Sequence, residues 1–195
     1  RLFNSVSRDT IEMDTSRLTY EIISARVVKN SYAEPDNYIT LDRGKSDSIL
    51  QDMGVITSKG ILGIVEKSSS GFASVQSVLN SKSNINAKIR HTDYFGSLIW
   101  NQKDYMRVQL EDIPRLDPAP MKVGDTIVTG GMSSIFPENI PIGTIEDFDL
   151  NQAGSSYTIN VRLFNDMTNL RQAYIIRNRN RPEVLNLEKE VADDR

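Results

Sequence analysis

The residue types that usually carry enzyme chemistry are sparse in this chain of 195 residues, which has one histidine and no cysteine. The histidine, His91, lies in Arg90-His91-Thr92-Asp93, a segment typical of a hairpin turn. A catalytic triad needs a histidine base beside a serine or cysteine nucleophile, and the order Gly-Asp-Ser-Gly is absent. Gly130-Gly131-Met132-Ser133-Ser134 is rich in glycine and serine but lacks that order. The sequence therefore predicts no catalytic triad.

The sequence also lacks the residue patterns that metal, phosphate and nucleic-acid sites need. One histidine without cysteine cannot build a usual zinc site, and Glu111-Asp112 lacks the ligand spacing of a calcium loop. The phosphate-binding motifs Gly-x-x-x-x-Gly-Lys-Ser/Thr and Gly-x-Gly-x-x-Gly are both absent from the sequence. The net charge of −3 disfavours general nucleic-acid binding, which needs a basic surface. We therefore expect no cofactor, no metal and no nucleic-acid partner.

The elements that must position any site are short β-strands, because a pattern of strand, glycine turn and strand occurs twice. Val55-Ile56-Thr57 aligns with Ile127-Val128-Thr129, and Leu62-Gly63-Ile64-Val65 aligns with Ile142-Gly143-Thr144-Ile145. Further short β-prone runs fill the chain from residue 21 to residue 178, and turn signals separate most of them. Many short strands at regular spacing indicate an all-β barrel or sandwich.

The two ends of the chain differ from this strand-rich middle. Residues 1–20 have apolar side chains at a spacing of four and three, with polar residues at intervening positions; the apolar ones are Leu2, Val6, Met13 and Tyr20. This pattern predicts the end of a longer coiled coil, with a frayed linker or a short helix as the alternative. Residues 179–195 are charged, and we expect them to form a flexible tail.

Two apolar pairs are the candidate partner-binding residues. Ile135 and Phe136 lie in a loop between two strands, where they are either tucked under the barrel or offered to a partner. Pro137 favours the tucked alternative because it restricts the loop. For Tyr94 and Phe95 core packing is the favoured interpretation, and a partner contact is the alternative.

Four stretches of the chain are together similar to a known family, the MreC rod-shape-determining proteins of bacteria. These are Asn37–Gly44, Asp52–Val65, Tyr94–Trp100 and Gly124–Ile145, and they follow one another in the family's order. The resemblance covers about residues 20–178. The last stretch is long and contains Gly130-Gly131-Met132-Ser133-Ser134-Ile135-Phe136-Pro137, which makes it the most specific of the four.

The resemblance implies two small six-stranded-type β-barrels, like those of chymotrypsin-type proteases without an active site, preceded by the end of a coiled-coil helix. It also implies that one barrel is inserted into the other. We therefore expect a first barrel from residues 21–72 plus 140–178, a second barrel from residues 73–139, and a sequential division near residue 95 as the alternative.

The resemblance further implies a non-catalytic scaffold of the cell-wall elongation machinery, with MreD and a class B penicillin-binding transpeptidase as partners. Self-association as a homodimer or a larger assembly is expected. The expected location is the periplasmic face of the inner membrane, with a single-pass anchor upstream of Arg1. The alternatives are a periplasmic adaptor of an efflux or secretion system, although we find no lipoyl-like hairpin, and a cryptic serine hydrolase.

Overall fold

The computed structural model describes residues 19–193, which form twelve β-strands and one α-helix. The coiled-coil end predicted for residues 1–20 lies almost wholly outside the described residues. The strands are β1 (Tyr20–Asn30), β2 (Asp36–Leu41), β3 (Gly54–Ile56), β4 (Ile61–Ser68), β5 (Ala73–Asn80), β6 (Ile85–Ile89), β7 (Phe95–Ile99), β8 (Arg107–Pro114), β9 (Thr126–Thr129), β10 (Pro141–Leu150), β11 (Ser156–Leu163) and β12 (Gln172–Asn178). The helix is α1 (Arg181–Asp193).

The strands close into two antiparallel barrels of six strands each, as the all-β prediction requires. The first barrel has the cyclic order β3-β4-β5-β2-β1-β12, and the second has the order β9-β10-β11-β8-β7-β6. The chain completes five strands of the first barrel, builds the whole second barrel, and returns to close the first with β12. A sequential division near residue 95 is therefore wrong, because β12 pairs with β1 and β3.

The sequence repeat corresponds to the same position in each barrel. Its first copy is the β3–β4 hairpin and its second copy is the β9–β10 hairpin, which begin the two cyclic orders. Gly63 and Gly143 occupy matching places, since a Cβ on either would lie 2.0 Å from a carbonyl oxygen of the next strand. Glycine is required at both positions because the neighbouring backbone fills the space of a side chain.

The predicted barrel boundaries are wrong because each one separates the two strands of a hairpin. The boundary at 72/73 separates β4 from β5, which pair through Val65 and Val75. The boundary at 139/140 separates β9 from β10, so the prediction places β10 and β11 in the first barrel instead of the second. Consecutive antiparallel strands usually pair with each other, and the structure follows that rule at both places.

The barrel interiors are aliphatic, and side chains alternate between inside and outside along several strands. In β2 the burial alternates, with Asn37, Ile39 and Leu41 fully buried. This period-two pattern is what an antiparallel strand with one wet face produces. In β8 the buried positions are Val108, Leu110 and Ile113, and the extra residue between Leu110 and Ile113 coincides with a register shift against β11.

The segment expected to be a flexible tail contains the helix α1 instead. Pro182 lies in its first turn, where the missing N–H costs no helical hydrogen bond, and Glu183 complements the positive end of the helix dipole. The high charge of residues 179–195 predicts a mobile segment. Charged residues that alternate with Leu and Val at helical spacing can also form an exposed helix, and this segment does so. Within residues 19–193, no helix is long and apolar enough to cross a membrane.

Candidate protein-interaction surface

Phe136 joins the loop of the second barrel to the first barrel. Its side chain is only 3% exposed, and a Cβ added to Gly54 of β3 would lie 2.5 Å from its Cε1. The ring therefore lies directly on the glycine backbone of the other barrel. Phe136 follows the tucked alternative, and it offers almost no surface to a partner in this conformation.

A groove of about 340 Å³ lies beside this contact, between the two barrels and α1. Three segments that are distant in sequence line it: residues 50–53, residues 134–135, and a continuous stretch that runs from the end of β12 into α1. Met53, Ile135, Ile176 and Leu185 supply apolar surface. Ile135 is half-buried and packs against the core, so it is the predicted contact residue that reaches this groove.

Polar contacts of α1 and of the residue that ends β12 hold the groove together. The Arg181 guanidinium donates to Asp52 Oδ2 of the first barrel at 2.9 Å and to Ser134 Oγ of the second barrel. Asn178 Nδ2 donates to the Ser134 carbonyl oxygen at 2.9 Å. The start of α1 is thus bonded to both barrels, and it forms one wall of the groove.

The groove has a positive rim around its apolar surface. Arg177, Arg179, Arg181 and Lys189 line it together with one carboxylate, Asp52. Arg181 is paired with Asp52, and Arg177 and Arg179 lie 3.7 Å and 3.8 Å from Glu21 Oε2, so four cations face two carboxylates. Lys189 lies on the exposed outer part of α1. An apolar surface with a positive rim favours a segment that carries apolar anchors and acidic residues.

The second predicted pair, Tyr94 and Phe95, lies on another part of the second barrel. Both side chains are half-buried, and Tyr94 packs against the core. The Lys88 Nζ lies 5.5 Å from the centroid of the Phe95 ring and forms an ion pair with Glu138. Lys88 is 6% exposed, so the aromatic ring and Glu138 together compensate a nearly buried charge. These contacts give Phe95 a structural role.

The surroundings of His91 do not resemble a catalytic centre. His91 is exposed in the turn after β6 with a φ of 63°. The depression beside it is lined by Ile89, Arg90, Thr92, Gly124, Asp125 and Thr126, with no serine among them. Within residues 19–193, no group of three or more His, Cys, Asp or Glu side chains is arranged to hold a metal ion.

Four of the carboxyl groups with a lowered pKa, those of Asp36, Asp42, Asp104 and Glu146, belong to surface ion pairs, whereas hydrogen bonds from Thr168 lower the pKa of Asp166. Hydrogen bonds from Arg107 and then Arg162 lower the pKa of Glu146 below its ordinary value, against the raising effect of burial. The Arg107 Nε lies 2.5 Å from Glu146 Oε2, and Arg107 also pairs with Asp104. This network links β8, β10 and β11 on the outside of the second barrel, which makes its role structural.

Most groove residues could not be identified from the sequence. Leu50 and Ile135 are far in sequence from the stretch that carries Arg177, Arg181 and Leu185, and no motif links the three regions. The one local signal was the apolar pair Ile135 and Phe136 in a loop, and it located one wall of the groove. The partner-binding role predicted for Ile135, Phe136, Tyr94 and Phe95 stays a prediction.

Relatives of the chain are cell shape-determining proteins. The Cell shape-determining protein MreC of Listeria monocytogenes is 26% identical over 177 residues, which cover 89% of this chain and 59% of the relative. Across the four curated relatives it matches, the chain spans 53% to 65% of their length. These relatives are named as shape-determining proteins and not as enzymes, in agreement with the prediction of a non-catalytic protein.

Solved structures of the same kind share the fold. The MreC structure from Listeria monocytogenes has a TM-score of 0.74 at 27% identity, covering 82% of this chain and 76% of that one. A chain from a complex between Penicillin-Binding Protein (PBP2) and MreC of Helicobacter pylori has a TM-score of 0.63 at 14% identity, covering 83% and 99%. The family model described as "Rod shape-determining protein MreC, barrel core" matches residues 27–177. The chain therefore belongs to the MreC family of rod shape-determining proteins.

Proposed function

We propose that this protein is a non-catalytic scaffold that helps determine cell shape by binding and organising peptidoglycan synthases, with a penicillin-binding transpeptidase as its main partner. The observation that carries the proposal is the groove between the barrels, whose apolar surface and positive rim suit a protein segment. Family membership supports the proposal, as does the Helicobacter pylori neighbour, which was solved with a penicillin-binding protein.

The mechanism is a shift of population in the partner. A scaffold favours one conformation of a transpeptidase only to the extent that it binds this conformation more tightly than the other. The groove is suited to such selectivity because residues from both barrels and from α1 must stay together to form it. A partner segment in the groove would bury Leu50, which is 53% exposed, and would meet the positive rim.

The remaining partners and the location follow from the family. We infer contacts with MreD, self-association into dimers or larger assemblies, and a position at the periplasmic face of the inner membrane. In the full-length protein a membrane anchor would precede the barrels. Tyr94 and Phe95 form a second candidate contact, elsewhere on the second barrel.

The test is direct binding to the extracytoplasmic part of the elongation transpeptidase from the same bacterium, measured by biolayer interferometry. Leu50→Asp introduces a negative charge at an exposed groove position, so folding should be retained. We expect it to weaken binding at least tenfold, because truncation or reversal at a true anchor costs roughly 2 kcal/mol or more. Ile135→Ala should weaken binding in the same direction.

The matched control is Phe72→Asp, because Phe72 is 51% exposed on the first barrel and lies outside the groove. It should leave the affinity within twofold of the unchanged chain. Equal loss in both variants would point to a general charge effect, and loss only in Tyr94→Ala and Phe95→Ala would move the contact to the second pair. Absence of saturable binding by the unchanged chain would reject the transpeptidase as a direct partner of this region.

A further inference from the structure

A row of three residues crosses the outer face of the first barrel beside the groove. Ile176 of β12 lines the groove and is directly paired with Gly54 of β3 and with Ile22 of β1. Directly paired residues of antiparallel strands point to the same face of the sheet. A Cβ on Gly54 would meet the Phe136 ring of the other barrel, so this face is the outer one. The row Gly54, Ile176 and Ile22 therefore continues the surface that forms the groove.

The row is covered at one end and open at the other. The Phe136 ring lies on Gly54, and Ile135 lines the groove together with Ile176. Ile176 is only 3% exposed, whereas Ile22 is 53% exposed. Adjacent strands are about 4.8 Å apart, so the open end of the row lies roughly 10 Å from the strand that Phe136 covers. The apolar surface thus extends onto β1, beyond the residues that line the groove.

A single exposed apolar side chain is common on protein surfaces, and β1 contains a residue for comparison. Val28 is 57% exposed on the same strand, six residues further along the chain. It lies at the register shift between β1 and β2 and is not paired with a groove residue. Ile22 differs from Val28 because it is directly paired with Ile176.

The charges beside the row favour an acidic partner over a second copy. Arg177 and Arg179 lie 3.7 Å and 3.8 Å from Glu21 Oε2, and Glu21 immediately precedes Ile22. Two cations around one carboxylate leave a net positive charge at this end of the barrel. A symmetric contact between two copies through this face would bring these arginines close to their own counterparts. A segment that carries acidic residues next to apolar ones avoids that repulsion.

We propose that the partner segment in the groove extends across β12 onto β1, with Ile22 as its outer anchor position. The segment places one apolar side chain over Ile176, a second over Ile22, and an acidic residue near Arg177 and Arg179. Directly paired Cβ atoms are about 5 Å apart, so the two apolar side chains are near neighbours, as at positions i and i+4 of a helix. The β1 contact rests on the proposed function, because its partner is the same penicillin-binding transpeptidase.

The test is binding to the extracytoplasmic part of that transpeptidase, measured by biolayer interferometry. Ile22→Asp and Val28→Asp place the same charge at similarly exposed positions of one strand. We expect Ile22→Asp to weaken binding at least tenfold, because it removes an apolar contact and repels an acidic segment. Val28→Asp should stay within twofold of the unchanged chain. Ile22→Ala is the milder variant, and it should weaken binding about fivefold while thermal melting shows that both variants fold.

A label at the same position reports contact without a change of charge. The chain has no cysteine, so Ile22→Cys provides a single site for a polarity-sensitive fluorophore such as acrylodan. Its emission should shift to shorter wavelength when the transpeptidase binds, because the segment excludes water from the label. The same label on Val28→Cys should show no shift.

The outcomes separate this contact from the proposed function. Weaker binding of Leu50→Asp with unchanged binding of Ile22→Asp would overturn the contact with β1 and leave the proposed function standing. Equal losses in Ile22→Asp and Val28→Asp, or equal emission shifts at the two labelled positions, would also overturn it. Absence of saturable binding by the unchanged chain would reject the proposed function and the β1 contact together.

Discussion

The packing of Phe136 on Gly54 gives the sharpest stability prediction, because one ring joins the two barrels. Phe136 is 3% exposed, and replacing such a phenylalanine by alanine removes a large buried surface and leaves a cavity. We expect Phe136→Ala to lower the free energy of unfolding by about 3 kcal/mol, the lower end of the usual range, since the loop can partly collapse.

Gly54→Ala tests the same contact from the other side. The new Cβ would lie 2.5 Å from the Phe136 Cε1, about 1 Å closer than two carbon atoms normally approach. Moving the ring should cost on the order of 1–3 kcal/mol. In the Phe136→Ala background this cost should disappear, because the ring is gone. The double variant should therefore be more stable than the sum of the two single effects by about 1–3 kcal/mol.

The assay is urea unfolding followed by circular dichroism and tryptophan fluorescence at 25 °C. Phe72→Ala is the control, because Phe72 is 51% exposed and its truncation should change stability by no more than about 0.5 kcal/mol. Strict additivity of the double variant would refute the contact, and so would a loss below about 1 kcal/mol for Phe136→Ala.

Three further predictions follow from the ion pairs and from α1. Glu138→Ala should lower the free energy of unfolding by about 1–3 kcal/mol, because it leaves the nearly buried Lys88 charge without its carboxylate. Lys88→Met removes the charge itself and should therefore lower the free energy of unfolding by less. A larger loss for Lys88→Met than for Glu138→Ala in urea unfolding would contradict this account. The folded pKa of Glu146 lies below its ordinary value of 4.5, so its contribution to stability is present above that value and is lost as the pH falls through the lower folded pKa. The melting temperature should therefore fall less in Glu146→Gln than in the unchanged chain between pH 5 and about pH 3, and parallel curves would count against the pairing with Arg107. Arg181→Ala should raise the rate of amide hydrogen exchange in α1 at least tenfold while the barrel strands stay protected, because Arg181 bonds α1 to both barrels. Unchanged exchange in α1 would show that other contacts hold the helix.

The strands and their glycines could be predicted from the sequence because their signals are local. The alternation in β2 and the repeated hairpin around Gly63 and Gly143 depend only on residues a few positions apart. The absence of a nucleophile motif near His91 is likewise a property of the sequence itself. These features were sufficient to predict two all-β units without catalytic equipment.

The closure of the barrels could not be predicted in the same way. The boundaries at 72/73 and 139/140 were wrong because strand periodicity is the same whichever barrel a strand joins. Partner choice depends on pairings such as that of β12 with β1, which lie about 150 residues apart in the chain. The C-terminal segment was misjudged because its charge masked the helical spacing of Val184, Leu187 and Val191.

The sequence by itself determined the residue types available, the short strands and the loop that carries Ile135 and Phe136. Only the tertiary structure decided that Phe136 lies on Gly54, that Ile135 lines a groove, and that α1 completes this groove. The physical reason is that a side chain's exposure depends on which distant backbone lies against it. Neither Gly54 nor Arg181 carries a signal of its own, and both gain their roles when the two barrels meet.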